Sequence, residues 1–492
     1  MARPEAQTER YAPLLAILLV ALAAYRVWAA QLIQLELFFD EAYYFGWAQS
    51  LEWGYYSKPP MVGWLIWLTT HIGGDSEPWV RAASTVLYPL TAWVAFLTGR
   101  RLFDARTGFW AALAFITLPM VSFGAWLITT DAALLFFWGL ALYALVRALA
   151  DNLWRHWLLL GLALGLGGLS KYSMVFFSVG GLALLAMDRD ARRQLANPRM
   201  YAAIALAALV FAPNLWWNAQ HQFVSVQHTA EIAQLDRDLL HPDKLGEFFG
   251  AQFGVMGPIL FAALLWIALR HGRALLNDAR LRPAAAFSLP VLGAFLVLAL
   301  LSRAFANWGA MAYVAGCLLV AGWLAKRERL VWLKAGIALN LLAAVFLYHY
   351  HALMGAAGVE LTRKADPYAR ITGWRGFGAQ AQAYLAAHPG TRLLGDDRKY
   401  MAELIYYIRP HPFDARLYNP SGALDDHYAL KHDLKGDPAG EFVFVSRHTD
   451  DAALMRDFDT VRPLGEIARP VRGHSVLRAH VYLVSGFRGY GR

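Results

Sequence analysis

Residues 130–150, TDAALLFFWGLALYALVRALA, carry an uninterrupted apolar interior between one acidic and one basic position. Asp131 stands at the start of this run and Arg147 near its end. A helix needs about 20 mainly apolar residues to cross a hydrocarbon core about 30 Å thick. The segment therefore predicts a transmembrane helix with Asp131 at its mouth.

Runs of the same kind recur along the first two thirds of the chain and predict a polytopic α-helical membrane protein. We expect about eleven transmembrane helices. Their predicted ranges are 11–30, 82–99, 107–125, 132–150, 154–170, 173–187, 201–217, 249–269, 284–301, 308–324 and 330–349. The apolar segment Met61–Ile72 is too short to span and predicts a helix that lies in the membrane interface.

The composition agrees with a membrane protein and excludes several other classes. Of the 492 residues, 58% are hydrophobic and 16% charged, whereas soluble domains are about a quarter charged. The single cysteine, Cys317, excludes an intrachain disulfide framework. The net charge of +9 comes from basic residues spread over several loops, so no nucleic-acid partner is indicated.

The orientation follows from the loops that hold the basic residues. Placing the N-terminus in the cytoplasm puts most Arg and Lys of the short connections on the cytoplasmic side, as the positive-inside rule requires. Residues 1–349 then form the membrane domain, and residues 350–492 lie outside the cytoplasm. This tail alternates short apolar runs with helical patterns and predicts a small α/β domain. We expect its strands at Arg392–Gly395, Phe442–Ser446 and Val476–Ser485, and its helices at Gly378–His388 and Asp397–Tyr407.

Polar residues beside the predicted spans form the candidate site, because charge is costly near hydrocarbon and its retention there suggests function. They fall on the outer loops, above all on the long first loop, 31–77. A second long outer loop, 218–247, is interpreted as a lid, since unstructured loops of that length are usually functional. The candidates are Asp40, Glu41, Tyr43, Tyr56, Lys58, Asp131, Lys171, His221, Arg303 and Asn307.

The residue types suggest chemistry on a phosphate whose tail stays in the membrane, although each has a purely structural alternative. Asp40 can serve as a general base or belong, with Glu41, to a helix cap. Lys58 and Lys171 can neutralise a phosphate or reach for lipid head groups. Asp131 can belong to the site or cap its helix. His221 and His228 lie seven residues apart and give only a weak two-histidine metal site.

Several motifs resemble one family in sequence order and topology. The motifs Asp40-Glu41-Ala42-Tyr43-Tyr44 and Gly54-Tyr55-Tyr56-Ser57-Lys58-Pro59-Pro60 resemble the first periplasmic loop of glycosyltransferase family 39. Thr130-Asp131-Ala132, Leu169-Ser170-Lys171-Tyr172, Trp217–His221 and Asn307-Trp308 match further along. The family includes protein O-mannosyltransferases, lipid A aminoarabinose transferases and rhizobial lipopolysaccharide galacturonosyltransferases. The resemblance covers most of residues 35–320.

The resemblance implies a GT-C membrane transferase that uses a polyprenyl-phosphate sugar donor. It would pass the sugar, with inversion, to a lipid or glycan acceptor such as lipid A or lipopolysaccharide on the periplasmic face of a bacterial inner membrane. Asp40 matches the catalytic base, Lys58 the lysine that holds the donor phosphate, and Lys171 a second phosphate partner, with Arg303 as a further candidate. No nucleotide site is needed, and a divalent metal is left open.

Two departures limit what the resemblance says about the sugar. The aminoarabinose transferases carry a glutamate where this chain has Ser57, and an arginine where it has Tyr43, so we expect fewer or different cations at the donor phosphate. Three other functions remain open at this stage: protein O-glycosylation, transport of a lipid-linked sugar, and ligation of lipid-linked oligosaccharides. A transporter would be expected to show repeated halves, which the sequence lacks.

Overall fold

The computed structural model describes residues 10–233, 240–447, 451–471 and 475–490. It divides the chain into two compact units. Unit 1 comprises residues 1–30, 58–62 and 81–349, and unit 2 comprises residues 31–57, 63–80 and 350–492. The sequence assigned all of the first loop, 31–77, to the membrane domain, whereas the structure groups most of it with the C-terminal residues.

Unit 1 is helical. Its longer helices, two of which continue into unit 2 at one end, are Tyr11–Ile33, Glu77–Leu102, Ala105–Ile116, Thr130–Asp151, Trp154–Ser170, Phe177–Met187, Pro198–Gln220, Val224–Ala233, Pro242–Met256, Pro258–Asn277, Leu289–Leu301, Met311–Lys326 and Leu330–Tyr348. The helix Met61–Gly73 begins in unit 1 and belongs mostly to unit 2. Short helices are Pro119–Gly124, Arg189–Arg193 and Arg282–Ala286, and 3₁₀ turns cover Tyr172–Phe176, Gln194–Ala196 and Ala306–Ala310.

Eight helices within the described ranges are long and apolar enough to cross a membrane. Three of the predicted spans, 107–125, 249–269 and 284–301, are wrong as single helices. The first breaks before Pro119, the second at Gly257-Pro258, and the third between Ala286 and Leu289. A proline has no N–H to donate and clashes with the preceding turn. At the first two breaks, one released carbonyl accepts a hydrogen bond from a distant side chain. Arg26 donates to the Ile116 carbonyl at 2.7 Å, and Asn340 donates to the Met256 carbonyl at 3.3 Å.

The helix Met311–Lys326 forms the centre of unit 1, since every residue from Met311 to Leu324 is buried. A helix that is apolar on all sides is expected in this position. Close approach of other helices depends on small residues. A side chain at Gly161 would place its Cβ 2.4 Å from the carbonyl oxygen of Ala203 on the helix Pro198–Gln220. Small residues allow such backbone contact between membrane helices.

Unit 2 contains a five-stranded mixed sheet in its described part, in the order β2-β1-β3-β5-β4. Its strands are β1 Arg392–Gly395, β2 Arg416–Leu417, β3 Glu441–Ser446, β4 Phe458–Val471 and β5 Ser475–Phe487. β1 pairs in parallel with both β2 and β3, and β5 runs antiparallel to β3 and β4. The helices of this unit are Phe39–Trp47, Tyr350–Ala356, Trp374–Ala387, Arg398–Tyr407, His427–Lys431 and Asp451–Asp457, with a 3₁₀ turn at Leu434–Gly436.

The predicted elements of the tail are confirmed at β1, β3, β5 and the helices Trp374–Ala387 and Arg398–Tyr407. The sequence missed β2, which has only two residues, and β4, which contains Pro463 and Pro470 and pairs along its length with β5. Proline inside a run argues against a strand unless the strand lies at an edge. β4 is an edge strand of this sheet, so its prolines cost fewer ladder bonds.

Segments of the first loop are fixed within unit 2 by polar contacts to the C-terminal residues. The hydroxyl of Tyr407 accepts a hydrogen bond from the Leu37 amide at 2.7 Å, and Glu36 accepts one from the Trp374 amide at 2.6 Å. The guanidinium of Arg375 lies 2.6 Å from Glu77. The helix Phe39–Trp47, which carries Asp40, is therefore part of a folded α/β unit.

Candidate functional site

The predicted site residues are distributed over both units. Unit 1 contains Lys58, Asp131, Lys171, His221, Arg303 and Asn307. Unit 2 contains Asp40, Glu41, Tyr43 and Tyr56. Each unit brings some of these residues together with partners far away in sequence.

In unit 1, three of the predicted residues form one hydrogen-bonded network. The ammonium of Lys171 lies 2.7 Å from one carboxylate oxygen of Asp131, and the amide of Asn307 donates to the other oxygen at 2.7 Å. The Asp131 and Lys171 side chains are only 10% and 15% exposed. Charge-assisted bonds of this length are strong, and burial limits their screening by solvent.

Asp131 does not cap its helix through its side chain, the structural alternative that the sequence left open. The helix Thr130–Asp151 is capped by Thr129, whose hydroxyl accepts from the Asp131 amide at 3.3 Å. The carboxylate is thereby left to bind Lys171 and Asn307. Lys171 directly follows the helix Trp154–Ser170. Its backbone is extended and connects this helix to the 3₁₀ turn Tyr172–Phe176.

In unit 2, Asp40 lies in the first turn of the helix Phe39–Trp47 and faces Arg398 of the helix Arg398–Tyr407. The nearest guanidinium nitrogen is 3.7 Å from the carboxylate, and the two side chains are 35% and 30% exposed. Arg398 also lies over the rings of Phe39 and Tyr43, at 5.5 and 5.2 Å from their centroids. Asp40 is therefore a partly solvent-accessible carboxylate with a positioned cationic neighbour.

The charge of Arg398 is favoured by its surroundings. Burial lowers the pKa of Arg398, but the carboxylate of Asp40, the phenol of Tyr43 and the carboxylate of Asp426 together raise it above its usual value. Burial raises the pKa of Asp426 itself. Its carboxylate caps the helix His427–Lys431 by accepting from the Ala429 amide at 2.9 Å.

The other candidates in unit 2 are buried in its interior. Glu41 accepts a hydrogen bond from the Phe38 amide at 2.9 Å, which completes the start of the helix. The hydroxyl of Tyr43 accepts from the His427 amide, and burial, followed by the charge of Asp426, raises the pKa of Tyr43 far above its ordinary value. Tyr56 is also buried. Glu41 and Tyr43 thus support the helix that presents Asp40.

The remaining candidates in unit 1 lie in different surroundings. Lys58 is half-buried directly before Pro59 and Pro60. Arg303 is exposed, and its guanidinium lies 4.4 Å from the centroid of the Phe305 ring. His221 ends the helix Pro198–Gln220 and stacks on Trp217 at a centroid distance of 4.0 Å.

A metal site built from His221 and His228 gains no support. In the part of the chain that the structure describes, no group of three or more His, Cys, Asp and Glu side chains could hold a metal ion. The predicted lid, 218–247, contains the helix Val224–Ala233 and the start of Pro242–Met256, so the expectation of an irregular loop is wrong for its described part. Residues 234–239 of that loop lie outside the described ranges.

Sequence reasoning missed Arg398 and Asp426. Arg398 belongs to a charged stretch, Asp396-Asp397-Arg398-Lys399, that directly follows the predicted strand Arg392–Gly395. Polar residues at the carboxyl end of a parallel strand are common in binding sites, and that signal was available. Asp426 gives no comparable signal, since it precedes a helix of only five residues.

The comparisons with known proteins agree with this fold. Residues 57–217 match the family model for dolichyl-phosphate-mannose-protein mannosyltransferase. The lipid A galacturonosyltransferase RgtD of Rhizobium johnstonii is 33% identical over 419 residues, which cover 84% of this chain and 86% of that protein. The undecaprenyl phosphate-alpha-4-amino-4-deoxy-L-arabinose arabinosyl transferase of Pseudomonas aeruginosa is 32% identical over 173 residues, 34% of this chain and 31% of that protein.

Among solved structures, ArnT from Cupriavidus metallidurans bound to undecaprenyl phosphate superposes with a TM-score of 0.63 at 16% sequence identity, covering 95% of this chain and 97% of that chain. This likeness establishes the GT-C fold. Identity with the galacturonosyltransferase along most of both chains establishes the family that the motifs of the first loop predicted. The chain belongs to glycosyltransferase family 39 and is a membrane glycosyltransferase of the GT-C fold.

Proposed function

We propose that this protein moves a sugar from a polyprenyl-phosphate donor to lipid A, the lipopolysaccharide core or another envelope glycan, with inversion at the anomeric carbon. The acceptor class is supported by the identity with a lipid A galacturonosyltransferase over 84% of the chain. The donor class is supported by the partial match to an undecaprenyl-phosphate aminoarabinose transferase.

The observation that carries the proposal is the pairing of Asp40 with Arg398. Inverting transfer needs a carboxylate that takes a proton from the acceptor hydroxyl while that oxygen attacks the anomeric carbon. Asp40 stands on a helix held inside a folded unit, remains about one third exposed, and has a guanidinium nitrogen 3.7 Å from its carboxylate. Arg398 acts through Asp40 and is a positioning residue.

The leaving group of the reaction is the polyprenyl phosphate, whose negative charge grows as the bond to the sugar breaks. Cations aimed at that charge lower the barrier. We propose Lys58 and Arg303 as donors to the phosphate. Lys171 stays a candidate, although it already binds Asp131 at 2.7 Å, so a phosphate would have to share its ammonium. Asp131 and Asn307 would then fix the direction in which Lys171 points.

The reaction is proposed to occur on the periplasmic face of a bacterial inner membrane. The support is the distribution of Arg and Lys over the short loops, which places most of them on the cytoplasmic side when the N-terminus is inside. Asp40, Lys58, Lys171 and Arg303 then all belong to loops on the opposite side. A cysteine-accessibility test with a membrane-impermeant maleimide, applied to Asp414→Cys in intact cells, would overturn this orientation if labelling required cell lysis.

The function is tested by mass spectrometry of lipid A and core oligosaccharide from cells with and without the gene. We expect cells with the gene to show an additional sugar-sized mass that cells without it lack. Expression of the wild type in the cells without the gene should restore this mass, and so should Asp414→Asn, which changes an exposed carboxylate far from Asp40 in sequence. The Asp40→Asn variant should not restore it. An unchanged set of lipid A and core species would contradict the proposed acceptor, and a gain of glycoprotein mass instead would favour protein O-glycosylation.

A further inference from the structure

Unit 2 contains a cavity of about 320 Å³ where its three parallel strands end. Asp396 follows β1 directly, Tyr418 and Asn419 follow β2, and Ser446 is the last residue of β3, and all four line the cavity. The size falls within the range of small-molecule sites. The cavity lies wholly within the α/β unit.

The topology of the sheet marks this place as a binding crevice. The chain leaves β1 for β2 on one side and then crosses to β3 on the other, so the strand order reverses at β1. In open α/β sheets, ligands bind outside the carboxyl ends of the strands at such a reversal. The cavity occupies that position.

The lining selects the kind of ligand. Three acidic residues, Asp396, Asp425 and Asp426, line the cavity, and its described lining includes neither Lys nor Arg. Carboxylates accept hydrogen bonds from hydroxyl and ammonium groups and repel phosphate or carboxylate. Tyr418 and Phe444 add aromatic surface, which packs against the apolar parts of a ligand. These features suit a saccharide that presents hydroxyl or ammonium groups here.

The wall is ordered by its own hydrogen bonds. Asp396 accepts from the Ser446 hydroxyl at 2.5 Å and from the Arg447 amide at 3.3 Å. The side-chain amide of Asn419 donates to the Ala423 carbonyl at 3.0 Å. A wall that is fixed in advance lowers the entropy lost when a ligand binds.

The cavity wall is connected to the surroundings of Asp40 through Arg398. Arg398, which lies 3.7 Å from Asp40, follows the cavity residue Asp396 by two positions. The cavity residue Asp426 is close enough to Arg398 for its charge to act on that guanidinium. Arg398 therefore neighbours both the proposed base and one residue of the cavity wall.

We infer that this cavity binds a sugar unit of the acceptor and holds the acceptor for transfer at Asp40. The inference rests on the proposed function for the identity of the acceptor. The carboxylate rim predicts that the bound sugar carries hydroxyl or ammonium groups and no phosphate at this point.

The test is a binding titration of the full-length protein in detergent, followed by ligand-observed NMR without any donor. Two probes distinguish binding through ammonium groups from binding through hydroxyl groups. They are a glucosamine disaccharide with free amines and its N-acetylated form. We expect at least one of them to bind the wild type at millimolar concentration. Asp425→Lys should weaken binding about tenfold or more, because it replaces a carboxylate that accepts charge-assisted hydrogen bonds with an ammonium that accepts none.

Two further variants keep the inference falsifiable. Asp414→Lys makes the same charge change outside the cavity and should bind the probes like the wild type. Ala453→Trp should fill the cavity and abolish binding. Failure of both saccharides to bind the wild type, or unchanged binding by Asp425→Lys and Ala453→Trp, would overturn the inference.

The binding result is independent of the proposed reaction. If both cavity variants lose the saccharide while lipid A and core species are unaffected by the gene, the cavity is confirmed and the proposed acceptor is wrong. If transfer is confirmed, Asp425→Lys should raise the acceptor KM about tenfold with little change in kcat. A fall in kcat at unchanged acceptor KM would contradict an acceptor site.

Discussion

Replacing Asp131 with asparagine leaves the ammonium of Lys171 without a carboxylate at a site where the lysine side chain is only 15% exposed. The new amide is nearly the same size, so packing is preserved and only charge changes. Removing one partner of a buried ion pair costs about 3–5 kcal/mol, because the remaining charge stays buried and uncompensated. Asn307 also loses a charged acceptor at 2.7 Å.

The expected loss is large enough to measure as a change in thermal stability. At about 2 °C per kcal/mol for a large domain, Asp131→Asn should lower the unfolding midpoint by about 6–10 °C. The assay is intrinsic fluorescence of the detergent-purified chain, which has 19 Trp residues, at one fixed scan rate, since unfolding of such proteins is often irreversible.

A double-mutant cycle separates the charge pair from other effects. Lys171→Met alone should also destabilise, and the double variant should lose less than the sum of the two by about 0.5–3 kcal/mol. Asp190→Asn is the matched control, since Asp190 pairs with Arg193 at 2.8 Å but is 78% exposed, and exposed pairs contribute little. A midpoint for Asp131→Asn within 2 °C of the wild type, or strictly additive losses in the cycle, would refute the reasoning.

Three further predictions concern other parts of the fold. Arg398→Leu should lower turnover about tenfold, which corresponds to ~1.4 kcal/mol in the barrier, because Asp40 loses its cationic neighbour. Arg398→Lys should recover part of the loss. Equal turnover of the wild type, Arg398→Leu and Arg398→Lys would count against a positioning role. Burial and then the nearby Arg416 lower the pKa of His432 below its usual 6.5 in the folded protein. The unfolded chain therefore takes up a proton on this ring at a higher pH than the folded protein does. The contribution of His432 to stability is full above pH 6.5 and is lost as the pH falls from 6.5 through the lower pKa of the folded state. His432→Gln should therefore show a smaller loss of unfolding midpoint between pH 7.5 and 5.5 than the wild type, and parallel curves would contradict this. Gly161→Ala should lower the unfolding midpoint by the equivalent of about 1–3 kcal/mol, because its Cβ would meet a backbone carbonyl at 2.4 Å, whereas Gly181→Ala, with open space at its Cβ, should be neutral.

The membrane class and much of the unit 2 sheet could be predicted because they depend on local patterns. β1 was predicted at its observed bounds, since Arg392–Gly395 is a short apolar run between turn signals. The breaks at Pro119 and Gly257 were missed because the apolar composition continues across both. One released carbonyl at each break accepts a hydrogen bond from Arg26 or Asn340, which are distant in sequence, and composition carries no trace of such partners.

The sequence singles out the residues of the candidate site one by one but does not predict their contacts. Asp131, Lys171 and Asn307 were each singled out by their place at a membrane boundary, yet their hydrogen bonds span 40 and 176 positions. The partner of Asp40 was not predicted, because Arg398 belongs to a part of the chain that had been assigned to another domain. Pairing across such separations is set by tertiary packing, which periodicity and spacing do not encode.

The central claim is that Asp40 is the base of the glycosyl transfer, and the most direct measurement compares the transfer rate of the wild type with that of Asp40→Asn and Asp414→Asn. Each protein is purified in full length and supplied with lipid-linked donor and with unmodified lipid acceptor, both extracted from cells that lack the gene. Loss of a general base costs about 10²–10⁴-fold in rate. We expect a loss of that size for Asp40→Asn, with unchanged unfolding midpoint and donor binding, and wild-type activity for Asp414→Asn. An Asp40→Asn protein that retains a rate within tenfold of the wild type would contradict the claim.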